Sequence, residues 1–173
     1  MGWRQYMSEN LRMETLRRLL CSIFFENEEY IKYIVPLQGN WYNPVADDST
    51  GDTWIGYVID YTNFTSAAIR KGDRIIRSGS AVVHLSFIGK QAESMAYSTV
   101  FWPYRVDIQS AFKSINGVLN NKDIRVFTSL YMQEGVASTL CYNVNLTIAY
   151  NEELEIASEY LRNVDISGDL IVN

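Results

Sequence analysis

Ser80-Ala-Val-Val-His-Leu-Ser-Phe-Ile-Gly-Lys-Gln-Ala-Glu-Ser-Met-Ala96 is the stretch on which the fold turns. Ala81, Val83, Leu85 and Phe87 alternate with Val82, His84, Ser86 and Ile88, the two-residue period of a strand with one buried face. Gly89 and Lys90 interrupt the alternation. From Gln91 to Phe101 the period lengthens, so that Ala92, Met95, Ala96 and Thr99 share one helical face. The stretch reads as a strand that passes through glycine into a helix.

Working outward, the strongest strand pattern lies near the C-terminus. Val136, Leu140, Tyr142, Val144, Leu146, Ile148 and Tyr150 hold even positions and Thr139, Asn143, Asn145 and Thr147 odd ones, a long half-buried antiparallel strand. Ile124, Val126, Leu130 and Met132 make its hairpin partner through a turn at Gln133, Glu134 and Gly135. Ile55, Tyr57, Ile59 and Tyr61 define a further strand. Leu16, Leu19, Leu20, Ile23 and Phe24 follow helical spacing, which predicts a helix over 8–24 with Ser8 as N-cap. A short helix through Glu28, Tyr30 and Tyr33 is expected to end at Pro36. After Trp102 and Pro103 another helix carries Ile108, Ala111, Phe112 and Ile115, with Gly117 close to where it should stop.

Two connectors stand out. Leu37 to Thr53 collects turn formers around Trp41 and Tyr42, a long surface loop of the kind that is functional or held by a partner. Arg70, Lys71, Arg74 and Arg77 lie in a second connector that ends at Gly79, read as the entrance to the next strand.

The chain has 173 residues and a net charge of −5. Residues 1–150 hold 14 basic and 14 acidic groups, whereas 151–173 hold Arg162 against six carboxylates. A neutral body with an acidic tail lacks the basic face that sequence-reading of nucleic acid requires, although DNA could slide past it. No apolar run approaches eighteen residues, and Met1 to Gln5 lack a signal peptide's apolar stretch, so a soluble chain made in a cytoplasm is expected. Cys21 and Cys141 read as small buried hydrophobes.

Catalytic patterns find little support. His84 is the one histidine, so a triad or multi-histidine metal site has no second member. Asp47, Asp48 and Asp52 fall short of a calcium loop, since no glutamate closes it. Phosphate-cradling glycine motifs are missing. No cofactor is expected. A hydrolase working through carboxylates alone remains open, with Asp60, Glu93 and Asp107 as its residues and a deep pocket with raised pKa values as its signature. Surface aromatics are the stronger signal: four tryptophans, twelve tyrosines and seven phenylalanines exceed the needs of one small core.

The order of elements, the Ser80–Ala96 unit and the stretch from Leu130 to Tyr150, which continues Asn-Leu-Thr-Ile-Ala-Tyr-Asn-Glu, resemble the tail-terminator (neck) proteins of long-tailed bacteriophages. The likeness spans residues 11–153; the segment around Trp3 and the tail from Glu155 have no counterpart. It implies an α+β domain over 1–153 with an N-terminal helix, a mixed or antiparallel sheet with helices on one face, and a closing hairpin, followed by an acidic extension over 154–173. It implies a non-enzymatic virion protein, assembled in the host cytoplasm as a homohexameric ring. That ring would stop the tail tube, join it to the head connector or stopper protein, and let DNA pass through its lumen without sequence-specific binding or any membrane. A tail-tube or connector-completion ring of the same machinery is the alternative. Intersubunit contacts are expected at Trp41, Trp54, Arg70, Arg74, Arg77, Trp102 and Tyr104.

Overall fold

A computed structural model describes residues 13–37, 53–64, 68–72, 74–120, 123–131 and 139–155. It is an α+β fold built on a seven-stranded mixed sheet. Helix α1 (Met13–Phe24) leads through a 3-10 helix (Glu28–Tyr33) to β1 (Ile34–Pro36), then β2 (Trp54–Phe64), β3 (Ile69–Lys71) and β4 (Arg74–Ile88). Helix α2 (Ala92–Ser98), a 3-10 helix (Thr99–Tyr104) and α3 (Val106–Ser114) follow, and β5 (Gly117–Leu119), β6 (Val126–Tyr131) and β7 (Thr139–Glu155) complete the sheet. The strand order is β1-β2-β4-β7-β5, with β3 beside β4 and β6 beside β7. β1 and β2 are parallel; the other pairs are antiparallel.

The alternation expected in β4 is the one observed: Ala81, Val83, Leu85 and Phe87 are buried, while Val82, His84, Ser86 and Ile88 face the other way and stay partly accessible. Val144, Leu146, Ile148 and Tyr150 of β7 and Ile55, Tyr57 and Ile59 of β2 are buried with them, in one core with Leu16, Leu20, Ala96, Ile108 and Phe112 of the helices. The helices therefore cover one face. Aromatic rings seal the layers: Phe24 of α1 meets Phe87 edge-on at 5.4 Å and Trp102 at 5.2 Å, and Trp102 meets Phe112 of α3 at 6.0 Å. Such pairs add about 0.5–1.5 kcal/mol each beyond their buried area.

Arg17 lies off the apolar stripe of α1, yet it is a clamp. Its Nε donates to the Ile34 carbonyl at 2.8 Å and its Nη2 to Ile31 at 3.0 Å, tying the 3-10 helix and β1 to α1.

Two local expectations are corrected. The segment expected to be a basic connector is strand: β3 pairs with β4 at Ile69↔Ile76, Arg70↔Ile75 and Lys71↔Arg74, and Gly79 lies inside β4. Pro36 ends a strand, since the 3-10 helix stops at Tyr33. As expected, α3 ends close to Gly117, at Ser114; Gly117 itself opens β5, and the left-handed position after the helix belongs to Asn116, φ 54°, a residue whose short polar side chain tolerates that region. Ser8, the loop from 38 to 52 with Trp41, the turn at 133–135 and the tail beyond 155 lie outside the described residues.

Candidate interaction surfaces

Among the described residues no helix lies on the face of the sheet opposite α1, α2 and α3, and the central side chains of this bare face hold one another. Cross-strand partners Ser78↔Asn151, His84↔Asn145 and Ser86↔Asn143 are each joined at 2.8 Å. Asn143 also donates its amide to Ser129 Oγ of β6 at 2.8 Å. Val58, Val82, Thr147 and Ala149 fill in between, and Asp60 carries a charge on the same face. The ladder places hydroxyls opposite amides because β4 and β7 keep one register from Arg74↔Glu155 to Phe87↔Tyr142. Chemically this is an amide and hydroxyl surface with few charges, able to carry hydrogen-bonded water yet without the cation density that draws phosphates.

A second surface lies at the end of the helical layer. Tyr97, Phe101, Tyr104 and Val106 are exposed, and Arg105 beside them is ion-paired with Asp107. That guanidinium holds the Asp107 carboxyl below its usual range. Nearby, burial and the Glu93 carboxylate push the Tyr142 hydroxyl up.

The residues expected to form contacts are dispersed over these surfaces. Tyr104 is 76% exposed. Arg70 is exposed in β3, its Nε donating to the Gly72 carbonyl at 3.2 Å. Arg74 and Arg77 are exposed in β4, opposite Glu155 and Glu152 of the same chain in the register. Trp54 is half-buried at the start of β2 with its ring edge-on to Tyr33 at 5.0 Å, and its buried indole N–H has no partner among the described residues. Trp102 is corrected: at 1% exposure it belongs to the core and offers no surface to a neighbour. The 3-10 helix accommodates Pro103 and turns the preceding indole inward.

The three carboxylates considered for hydrolysis do not converge. Asp60 is exposed on the bare face and Glu93 on α2 across the sheet, while the Asp107 shift is downward, opposite to that of a general acid. A groove of about 550 Å³ between α1 and α3 is lined by Glu14, Thr15, Arg18, Leu19, Ser22, Ser114 and Ile115 and contains none of the three. Both cysteines are buried and free, their thiols pushed up mainly by burial, so neither has the character of a reactive thiolate. Among the described residues no three metal-ligating side chains cluster, and no helix is long and apolar enough to cross a membrane.

What sequence reasoning missed is the polar ladder. Its residues were read as the outward half of two strands, and only the register shows which of them meet. Comparison with protein-family models and with curated proteins finds no match to this chain.

Proposed function

We propose that this chain is a structural, ring-forming protein of a long-tailed bacteriophage, one that ends the tail tube and joins it to the head connector. The observation that carries the reading is the form of the sheet: strands of 15 and 17 residues, helices on one face, and an opposite face that among the described residues carries no helix and is lined at its centre by Ser78, His84, Ser86, Asn143, Asn145 and Asn151. In this reading six copies meet side to side through heterologous contacts. The bare face borders the channel, where a surface with few cations releases few counterions and so lets DNA move. Arg70 and Tyr104 supply contacts outside the channel, and Arg74, at the far end of the same face, meets the neighbouring copy. The resemblance of Ser80–Ala96 and Leu130–Tyr150 to tail terminators supports the same assignment.

Mass measurement of the purified full chain, with electron microscopy of mixtures with tail tubes, tests it. A closed ring that docks on tube ends is the expected result. Long cylinders formed by this chain alone would instead mark it as a tube protein, and a strict monomer that never docks would remove the proposal. Arg74→Glu is expected to weaken ring closure while the circular dichroism stays unchanged; an unaltered assembly mass would remove Arg74 from the contacts.

A further inference from the structure

We infer that β6 is the edge at which a strand of a neighbouring copy joins this sheet. Val126-Phe127-Thr128-Ser129-Leu130-Tyr131 pairs with β7 along one side, and among the described residues no strand lies on its other side. An edge strand displays a row of N–H and C=O groups that templates another strand. Proteins guard such edges with lysine, proline, bulges or extreme shortness. β6 has no charge, proline or glycine, and its register with β7 is unbroken over all six residues. Its valine, phenylalanine, threonine and tyrosine are strong strand formers. The opposite margin is guarded: β1 has three residues and ends in Pro36, and beyond it β2 carries the exposed Asp60 and a register shift between Tyr61 and Asn63.

The side chains around β6 point the same way. On the bare face Phe127 is 49% exposed and Val118 of β5 is exposed too. On the helix-side face Leu130, 64% exposed, stands opposite Leu140, 43% exposed. A strand added here gains ladder hydrogen bonds and covers apolar groups above and below in one step.

The occupant is a second copy of this chain. An unguarded, apolar seam is the composition of a permanently closed contact rather than a transient one. Each copy also carries a net charge of −5, so copies meet most favourably along a margin without carboxylates. Closing a ring removes the exposed edge altogether. The identity of the partner rests on the ring reading above; the pairing edge rests on β6 itself.

Sedimentation velocity and deuterium exchange on the full chain across a concentration series test this, together with Phe127→Lys and Leu130→Lys. Both substitutions fall on exposed side chains, so the fold should tolerate them. Association is expected to slow exchange of the β6 amides by about tenfold or more, and each lysine variant should sediment as a 19.9 kDa monomer with unchanged circular dichroism. Assembly that persists in the variants, with β6 amides exchanging at the dilute rate, would overturn the inference and leave the ring standing. Assembly through β6 that stops at a pair would uphold the edge and remove the ring. A monomer at every concentration would remove both. Should the variants misfold, exchange on the unaltered chain decides alone.

Discussion

β4 and β7 are one continuous ladder with two different halves. From Ala81↔Ile148 to Leu85↔Val144 every inward side chain of both strands lies under the helices and is fully buried. From Arg74↔Glu155 to Ser78↔Asn151 the same strands continue in the same register with Arg74 and Arg77 exposed and Ile75 and Ile76 half-buried. The backbone hydrogen bonding is alike in both halves; what differs is the cover. Burying one aliphatic side chain is worth roughly 1.5–3 kcal/mol, whereas an exposed cross-strand pair contributes about 0.2–1 kcal/mol. The covered half therefore holds the fold and the uncovered half extends it. The lesson is that ladder length and core length are separate quantities in this protein.

The sharpest way to break that contrast is to remove cover at its centre. Phe87→Ala deletes the ring that Phe24 meets at 5.4 Å and is expected to cost about 3–5 kcal/mol in urea melts, whereas Ile76→Ala in the uncovered half should cost under about 1.5 kcal/mol. Equal losses would mean that the outer half is covered after all.

The next test lies at the junction. Gly79 stands opposite Tyr150, and a Cβ added there would fall 2.9 Å from the tyrosine Cζ and Oη. Gly79→Ala meets no backbone obstacle, so overpacking alone decides the result. The expected net loss is about 1–2 kcal/mol, relieved when Tyr150→Leu is combined with it. A loss that the double variant fails to relieve would place the strain elsewhere.

How far the fold could be read depends on the same division. The covered halves of β2, β4 and β7 were legible because burial of one face imposes a two-residue period on Ile55 to Ile59, Ala81 to Phe87 and Tyr142 to Tyr150. The outer half was illegible for the converse reason: among the described residues no helix packs over Arg74 to Ser78, so no strict alternation is imposed there, and Arg70, Lys71, Gly72, Asp73 and Gly79 imitate a loop. Gly117 marked the neighbourhood of the stop of α3, although Asn116 takes the left-handed position usually assigned to glycine. Trp102 misled because Pro103 signals a break, although a 3-10 helix carries the chain through with the indole inside. Of the expected contact residues, Arg70, Arg74, Arg77 and Tyr104 are exposed, as their types suggest. The edge position that β6 holds among the described residues is invisible in its own six residues, since an edge is defined by which strand fails to lie beside it.

A smaller effect is expected on the bare face. Asn143 accepts from Ser86 Oγ at 2.8 Å and donates to Ser129 Oγ at 2.8 Å, so Asn143→Ala strips a partner from two hydroxyls on two other strands. Water reaches this face and supplies replacements, which limits the expected cost to about 1 kcal/mol. Faster exchange confined to β6 and the adjoining part of β7 would show that the amide pins the edge strand.

The smallest effect concerns charge in the uncovered half. Arg77 stands opposite Glu152 in the register, and directly opposed like charges disfavour pairing. Arg77→Glu is therefore expected to loosen the outer ladder without unfolding the core: amides of 74–78 and 151–155 should exchange faster while the global melting curve hardly moves. The change should shrink between 0.05 and about 0.5 M salt, because exposed charges are screened over a Debye length of roughly 4–14 Å in that range. Combining Arg77→Glu with Glu152→Arg restores the opposition of signs and should restore the slow exchange. If the single variant instead lowers the global transition by as much as Phe87→Ala does, the two halves are one cooperative unit, and cover is not what divides the ladder.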